Sequence, residues 1–204
     1  MKNSNVLLLV ILICNSIFSQ KESKSKFDII AFGGIGYGIV ENESEPKYNL
    51  NSNSGEILLN YSFSEKFGIA SGVGLNQLTG NGFNSLGEFY HERNLLKIPI
   101  LLTFKGKVSE NIEYFGNLGF FGQNIVKDNY EFLSNSTENL YNGWNVGTQF
   151  GLGILFDYTK RMKFGFIFNA QSDFSKFKSN NPNITSNQKI KNLNTIGILL
   201  KYKL

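Results

Sequence analysis

Cysteine is almost absent from this chain of 204 residues, and its one thiol, Cys14, falls inside an apolar leader. The rest of the chain therefore has nothing with which to form a disulfide or a thiolate metal site. With 3 prolines there is no proline-rich linker, and with one histidine, His91, no histidine-based ligand set, so no metal and no cofactor is expected. No uninterrupted apolar run approaches the ~20 residues a spanning helix needs. Alanine is scarce and the 3.6-residue period is missing, which excludes a helix bundle. Charge of a single sign is lacking as well. The net +4 is spread along the chain, and a pI near 9.0 reached this way does not indicate a nucleic-acid partner.

What is present is glycine and aromatic surface: 21 Gly, 19 Phe and 9 Tyr in a chain that is 41% hydrophobic, too apolar for disorder and suited to one large sheet domain. At the start, one lysine precedes an apolar run over residues 6–13, and Ser19 offers a small residue before Gln20. This is the pattern of a secretory signal peptide over 1–19, leaving a domain over 20–204. The run is too short for a membrane anchor, and Ile13 stands where a lipoprotein signal would place a small residue ahead of Cys14.

Eight later stretches alternate apolar with polar or small residues: 27–40, 56–63, 67–77, 95–105, 112–126, 144–158, 162–173 and 195–204. The clearest carries Trp144, Val146, Phe150, Leu152, Ile154 and Phe156 on one face, and Asn145, Gly147, Gln149, Gly151, Gly153 and Asp157 on the other. That is the two-residue period of a strand with two different faces. The links at 64–66, 106–110 and 159–161 are short, whereas those at 41–53, 80–93, 127–143 and 175–191 are long and polar. An even strand number, alternating link lengths and both termini at the short-turn end specify an all-β, eight-stranded antiparallel up-and-down transmembrane β-barrel.

The polar face is built from Gly, Asn, Gln, Thr and Ser more than from Lys and Glu, which suits a narrow lumen. The apolar face is bulky and carries Tyr61, Trp144, Tyr158 and Tyr202 near strand ends, as interfacial girdles do. Lipid is therefore expected outside. A mean hydropathy of −0.16 agrees, because only alternate residues of each span touch lipid. A soluble periplasmic ligand-binding barrel, with the apolar face inward, is one alternative.

The segments FGGIGYG (32–38), LLKIPILLTFK (95–105) and IEYFGNLGFFG (112–122), with a last strand carrying Thr195, Gly197, Leu200 and Tyr202, resemble the small outer-membrane β-barrel domain family of Bacteroidota. That family is PorT-like and related in form to the OmpA- and OmpX-type eight-stranded barrels. The resemblance spans roughly residues 27–204. It implies an outer-membrane location with periplasmic termini and extracellular long loops, and a terminal strand read by barrel-assembly machinery. A plugged barrel of this kind is expected to serve envelope integrity or loop-mediated binding of a protein partner, and the resemblance also allows accessory work in secretion or surface assembly.

An eight-stranded barrel leaves room for little but side chains. The lumen is thus expected to hold a polar network of Asp28, Lys97, Lys105, Glu113, Asp157, Lys163, Asp173 and Lys201, bridged by Asn60, Asn76, Asn117, Gln149 and Gln171. A narrow ion or solute channel is the alternative use of the same groups. The second long link holds Ser85, Glu88, His91 and Glu92. Such residues can run hydrolysis or acyl transfer when they converge, which makes a rim enzyme acting on lipid or peptide a further alternative. No recognised motif surrounds them, so His91 is read as a solvated loop histidine and no catalytic residue is assigned.

FGGIGYG lies within a strand rather than before a helix, so it is not a phosphate loop. Sequons at Asn42, Asn135 and Asn183 mark exposed links. The last long link carries Lys176, Lys178, Lys189 and Lys191 without an acid, while the first and third hold Glu41, Glu43, Glu45, Asp128, Glu131 and Glu138. The rim is therefore expected to divide into a basic sector, able to meet lipopolysaccharide phosphates, and an acidic one.

Overall fold

The computed structural model describes residues 25–84, 87–133, 136–180 and 186–204. The expected signal peptide with Cys14, and also Ser85, Asn135 and Asn183, lie outside the described residues. Eight long strands form a closed ring: β1 (Phe27–Asn42), β2 (Tyr48–Ser62), β3 (Phe67–Asn84), β4 (Gly87–Ser109), β5 (Ile112–Phe132), β8 (Trp144–Asp157), β9 (Met162–Asp173) and β11 (Gln188–Lys203). Each pairs antiparallel with its neighbours in the order β4-β3-β2-β1-β11-β9-β8-β5, and β4 pairing with β5 shuts the ring. A short β6 (Ser136–Glu138) folds back onto β5, and β7 (Tyr141–Asn142) with β10 (Lys178–Ser179) makes a separate two-stranded ribbon.

Pairing of the first and last ring strands, Asp28 with Lys203 through Tyr37 with Asn194, removes the free edge that hydrocarbon would not tolerate. Two of the three turns beside the termini are tied by a hydroxyl. Ser64 Oγ accepts from the Lys66 and Phe67 amides at 3.3 and 2.9 Å, and Thr159 Oγ1 from the Arg161 and Met162 amides at 3.3 and 3.0 Å.

The outward face answers which solvent surrounds the barrel. Every ring strand presents a bulky apolar side chain at mid-height: Ile35, Ile57, Val73, Ile100, Phe120, Leu152, Phe166 and Ile198, each 49–66% exposed. A continuous apolar belt of this kind is stable against hydrocarbon, not against water. Tyr61, Trp144 and Tyr158 project outward near its edges, and Tyr202 lies half-buried on the same face.

The expected long links are largely strand. β2 begins at Tyr48, β3 and β4 run through 80–84 and 87–93, β5 reaches Phe132 and β11 starts at Gln188. Beyond the belt the outward residues are mixed: Glu92 and Lys127 pair at 2.8 Å across β4 and β5, while Phe83 and Tyr90 stand exposed further out. The backbone stays in the ladder there because its polar groups must still be paired, although the apolar alternation is interrupted. Asn42, the described sequon, closes β1 and donates its side-chain amide to the Pro46 carbonyl at 3.1 Å.

Three irregularities break the ladder, one beside the β4–β5 turn between Lys107 and Ser109 and two bulges towards the loop end. In β11, three steps from Asn194 to Lys191 oppose two in β1, and Asn192 absorbs the extra residue at a φ of 50°. In β5, Ile125 and Lys127 pair with the consecutive Leu95 and Asn94, leaving Val126 unpaired. Past each bulge the faces exchange, so that Ile190, Asp128 and Tyr130 point inward.

Candidate functional site

The lumen is filled in layers. At the termini end Asp28 Oδ2 accepts from Asn60 at 3.2 Å, and Thr103 donates to Asn60 at 2.7 Å. Glu113 lies between Lys163 at 3.1 Å and Lys201 at 3.3 Å, while Lys105 and Lys201 approach Asp28 at 3.9 and 3.8 Å. Asp157 has the expected face but stands at the open mouth, 37% exposed in its side chain and 2.9 Å from Lys163. It belongs to the mouth rather than to a buried network, because β8 ends there.

Above this layer the lumen is not polar. Ile30 and Phe32 of β1, with Leu58, Ala70, Leu101, Phe115, Leu155, Ile167 and Leu199 from the other seven ring strands, form a buried apolar disc. The expected continuous polar plug is corrected here. Large apolar side chains on the lumen face fill the bore more completely than hydrated polar ones and leave no donor unmet.

Over the disc sits the fully buried Lys97. Its ammonium donates to Glu56, to Gln149 at 2.8 Å and to Gln171 at 3.1 Å, so all three N–H groups are used, and it lies 5.4 Å from the Phe121 ring centre. Glu56 was not among the expected lumen residues. Its inward parity in β2 and the need of a buried lysine for an anion are the signals that point to it. Higher still, Asp173 accepts from Asn145 at 2.6 Å, Gln123 at 2.9 Å and the Ile190 amide at 2.8 Å.

The loop end closes over an ionic cluster beyond the lipid belt. Asp128 receives Arg93 Nε at 2.7 Å, His91 Nε2 at 2.9 Å and the Tyr141 amide at 2.9 Å. Arg93 also donates to Gln188 at 2.7 Å and Tyr130 at 3.3 Å, while Tyr48 Oη meets His91 Nδ1 at 3.0 Å. Tyr130 stacks on the His91 ring with centroids 4.1 Å apart. Val40, Leu50, Leu78, Phe89, Leu95, Tyr141, Phe177 and Ile190 wrap the cluster.

His91 is thus no solvated loop residue: it is an inward position of β4 with 0% exposure. Desolvation by burial lowers its pKa to about 4, against the pull of the Asp128 hydrogen bond. The ring is neutral, with its proton on the nitrogen facing the carboxylate and Nδ1 accepting from Tyr48. Burial alone would raise the Asp128 carboxyl, but the Arg93 charge and the hydrogen bonds from His91 and Arg93 outweigh it and hold the group at about 2.

The possible rim catalytic set is not assembled. Glu88 and Glu92 lie on the outward face of β4 while His91 lies on the inward one, since neighbours in a strand alternate. The hydroxyl that does meet His91, that of Tyr48, is pushed up to about 12 by burial, which makes it a poor base or nucleophile at neutral pH. An open rim pocket of about 680 Å³, lined by Phe83, Tyr90, Phe132 and Lys47 among others, reaches down to Tyr48 and Phe89.

The rim is not divided into basic and acidic sectors. Lys176 pairs with Glu43, and Glu41 gathers Lys47 at 2.9 Å, Lys191 at 3.1 Å and Lys189 at 3.2 Å, which hold its carboxyl at about 2. Closure of β1 against β11 brings the first and last links side by side, so that acids of one meet lysines of the other. Lys189 and Lys191 are strand residues, and Lys178 lies in the β7–β10 ribbon opposite Asn142. Of the terminal-strand residues, Thr195 and Gly197 face the lumen and Leu200 and Tyr202 face outward.

No protein-family model matches the chain, and no curated protein does. Solved structures do. Neisserial surface protein A aligns over 90% of this chain and 100% of its own, at 10% identity and a TM-score of 0.57. The outer membrane protease OmpT from Escherichia coli aligns over 91% and 99%, at 10% identity and 0.54. The outer membrane protein OprG from Pseudomonas aeruginosa aligns over 91% and 100%, at 13% identity and 0.52. At these identities the likeness shows the fold: that of a small outer-membrane β-barrel.

Proposed function

We propose that this chain is an outer-membrane protein that spans the lipid as a closed barrel, with periplasmic termini and extracellular hairpins, and that it works as an envelope scaffold and surface-recognition protein rather than as an enzyme or channel. The observation that carries the reading is the apolar disc, to which every ring strand contributes and beneath which the termini-end charges are sealed from Lys97 and the loop-end cluster. A bore blocked in this way leaves conduction no water path. The accessible polar and aromatic surface is at the two ends, where Phe83, Tyr90 and Leu133 stand exposed around the loop-end pocket.

A protein partner at that end, contact with outer-membrane lipid and lipopolysaccharide, and insertion by barrel-assembly machinery through the strand carrying Thr195, Gly197, Leu200 and Tyr202 belong to the same proposal. The resemblance to PorT-like barrels adds an accessory role in secretion or surface assembly. Two measurements on one preparation test it. Membrane fractionation with unheated and boiled gel mobility should place the protein in the outer membrane and show a heat-dependent shift. Planar bilayers containing it should remain silent. Discrete conductance steps lost on changing Lys97 would replace the scaffold by a channel, and a soluble protein without a mobility shift would refute the membrane reading.

A further inference from the structure

The charge of the barrel is unequal between its ends. The mouth beside the termini encloses about 600 Å³, and eight cationic side chains line it against four carboxylates. Three of those carboxylates, Asp28, Glu113 and Asp157, are already shared by Lys105, Lys163 and Lys201. Lys26, Lys107, Lys160, Arg161 and Lys203 also face this space, and among the described residues none of them pairs with a carboxylate. Lys26, Lys203, Lys160 and Arg161 lie along the contiguous arc of β1, β11, β9 and β8, just before β1, at the end of β11 and in the β8–β9 turn, and Lys107 at the end of β4 faces them from across the opening. By contrast, each of five lysines at the loop end touches an acid: Lys127 meets Glu92, Lys176 meets Glu43, and Lys47, Lys189 and Lys191 converge on Glu41.

Like charges held around one opening repel each other, and a multivalent anion relieves that repulsion. The apolar disc forms the floor, so an anion entering the mouth stops there instead of passing through. Seven of the eight cations are lysines, compact point charges on flexible stems that suit phosphate oxygens without demanding the planar match of a carboxylate. We infer that the termini-end mouth is a binding vestibule for a ligand carrying several phosphate groups, either a soluble polyphosphate-like anion or the clustered headgroups of anionic phospholipid.

The test is calorimetric titration of inorganic triphosphate into the folded full-length protein in nonionic detergent at low salt. Two triple variants accompany it, both verified as folded by the heat-dependent mobility shift. Lys107→Gln/Arg161→Gln/Lys203→Gln removes three mouth charges, and Lys127→Gln/Lys176→Gln/Lys178→Gln removes three from the loop end. The wild type should bind triphosphate at one site, the mouth variant at least about tenfold more weakly, and the loop-end variant within about twofold of wild type. Repeating the titration in nanodiscs separates the sources. Weakening of triphosphate binding by anionic lipid, absent with neutral lipid, identifies headgroups as occupants, and equal affinity in both identifies a soluble anion. Absence of triphosphate binding by the wild type, or equal weakening in the two variants, overturns the proposal.

Discussion

Replacing Glu56 by glutamine tests the sealed lumen most directly, because it removes one charge and almost no volume. In the native barrel the buried Lys97 ammonium has three acceptors, of which only Glu56 is charged, and Glu56 in turn accepts from Gln149 at 3.3 Å. Glutamine keeps an acceptor in place but leaves the ammonium without a counter-charge, between the apolar disc and the Phe121 ring. Breaking a buried pair from one side costs about 3–5 kcal/mol, and retention of the acceptor puts Glu56→Gln near the lower end, about 3 kcal/mol. Replacing both partners, Glu56→Leu with Lys97→Met, removes the unpaired charge and should restore stability to within about 1 kcal/mol of wild type. The assay is reversible urea unfolding in lipid vesicles, followed by the fluorescence of Trp144, the only tryptophan. A single-variant loss below about 1 kcal/mol would mean that water reaches Lys97, and the sealed lumen would fall with it. A double variant as unstable as the single one would refute the charge-burial account.

The lone histidine makes the loop-end cluster easy to observe, since one imidazole signal reports it. Its pKa is lowered when folded, so the unfolded chain binds the extra proton first. The contribution of His91 is then complete above pH ~6.5 and is lost as pH falls towards about 4, on the order of 3 kcal/mol for this fully buried ring. Nitrogen NMR of the ring should give a midpoint near 4, and a midpoint at 6.5 or above would contradict the buried neutral imidazole. Phe115→Ala, which opens the apolar disc, should cost about 3–5 kcal/mol in the same unfolding assay, and a cost under about 1 would show that the disc is not packed. At Gly36 an added Cβ would overlap the Asn194 carbonyl oxygen across the β1–β11 seam. Gly36→Ala should therefore destabilise by about 1–3 kcal/mol and slow barrel closure in refolding, whereas Gly33→Ala, with open space outside, should refold as wild type does.

The sequence by itself determined the barrel, because strand period, link alternation and the choice of lipid for the bulky face are local properties that one chain displays in order. It also determined which side of the sheet each of Asp28, Lys97, Lys105, Glu113, Lys163, Asp173 and Lys201 occupies, since parity persists as long as the ladder is regular. Only the tertiary structure decided where parity breaks. A single extra residue at Val126 turns Asp128 and Tyr130 inward to meet His91 and Arg93, and no pattern within β5 announces it. Strand length past the apolar belt was hidden for a related reason: polar residues interrupt the alternation and look like a loop, although backbone pairing continues and Leu50, Phe89, Tyr130 and Ile190 still point inward. Whether charges cooperate was likewise decided by closure, which set Glu41 and Glu43 beside the lysines of the last link while leaving Lys26, Lys107, Lys160, Arg161 and Lys203 of the termini-end mouth without a carboxylate. Charge pairing depends on distances between strands far apart in the chain, and those distances exist only once the ring has closed.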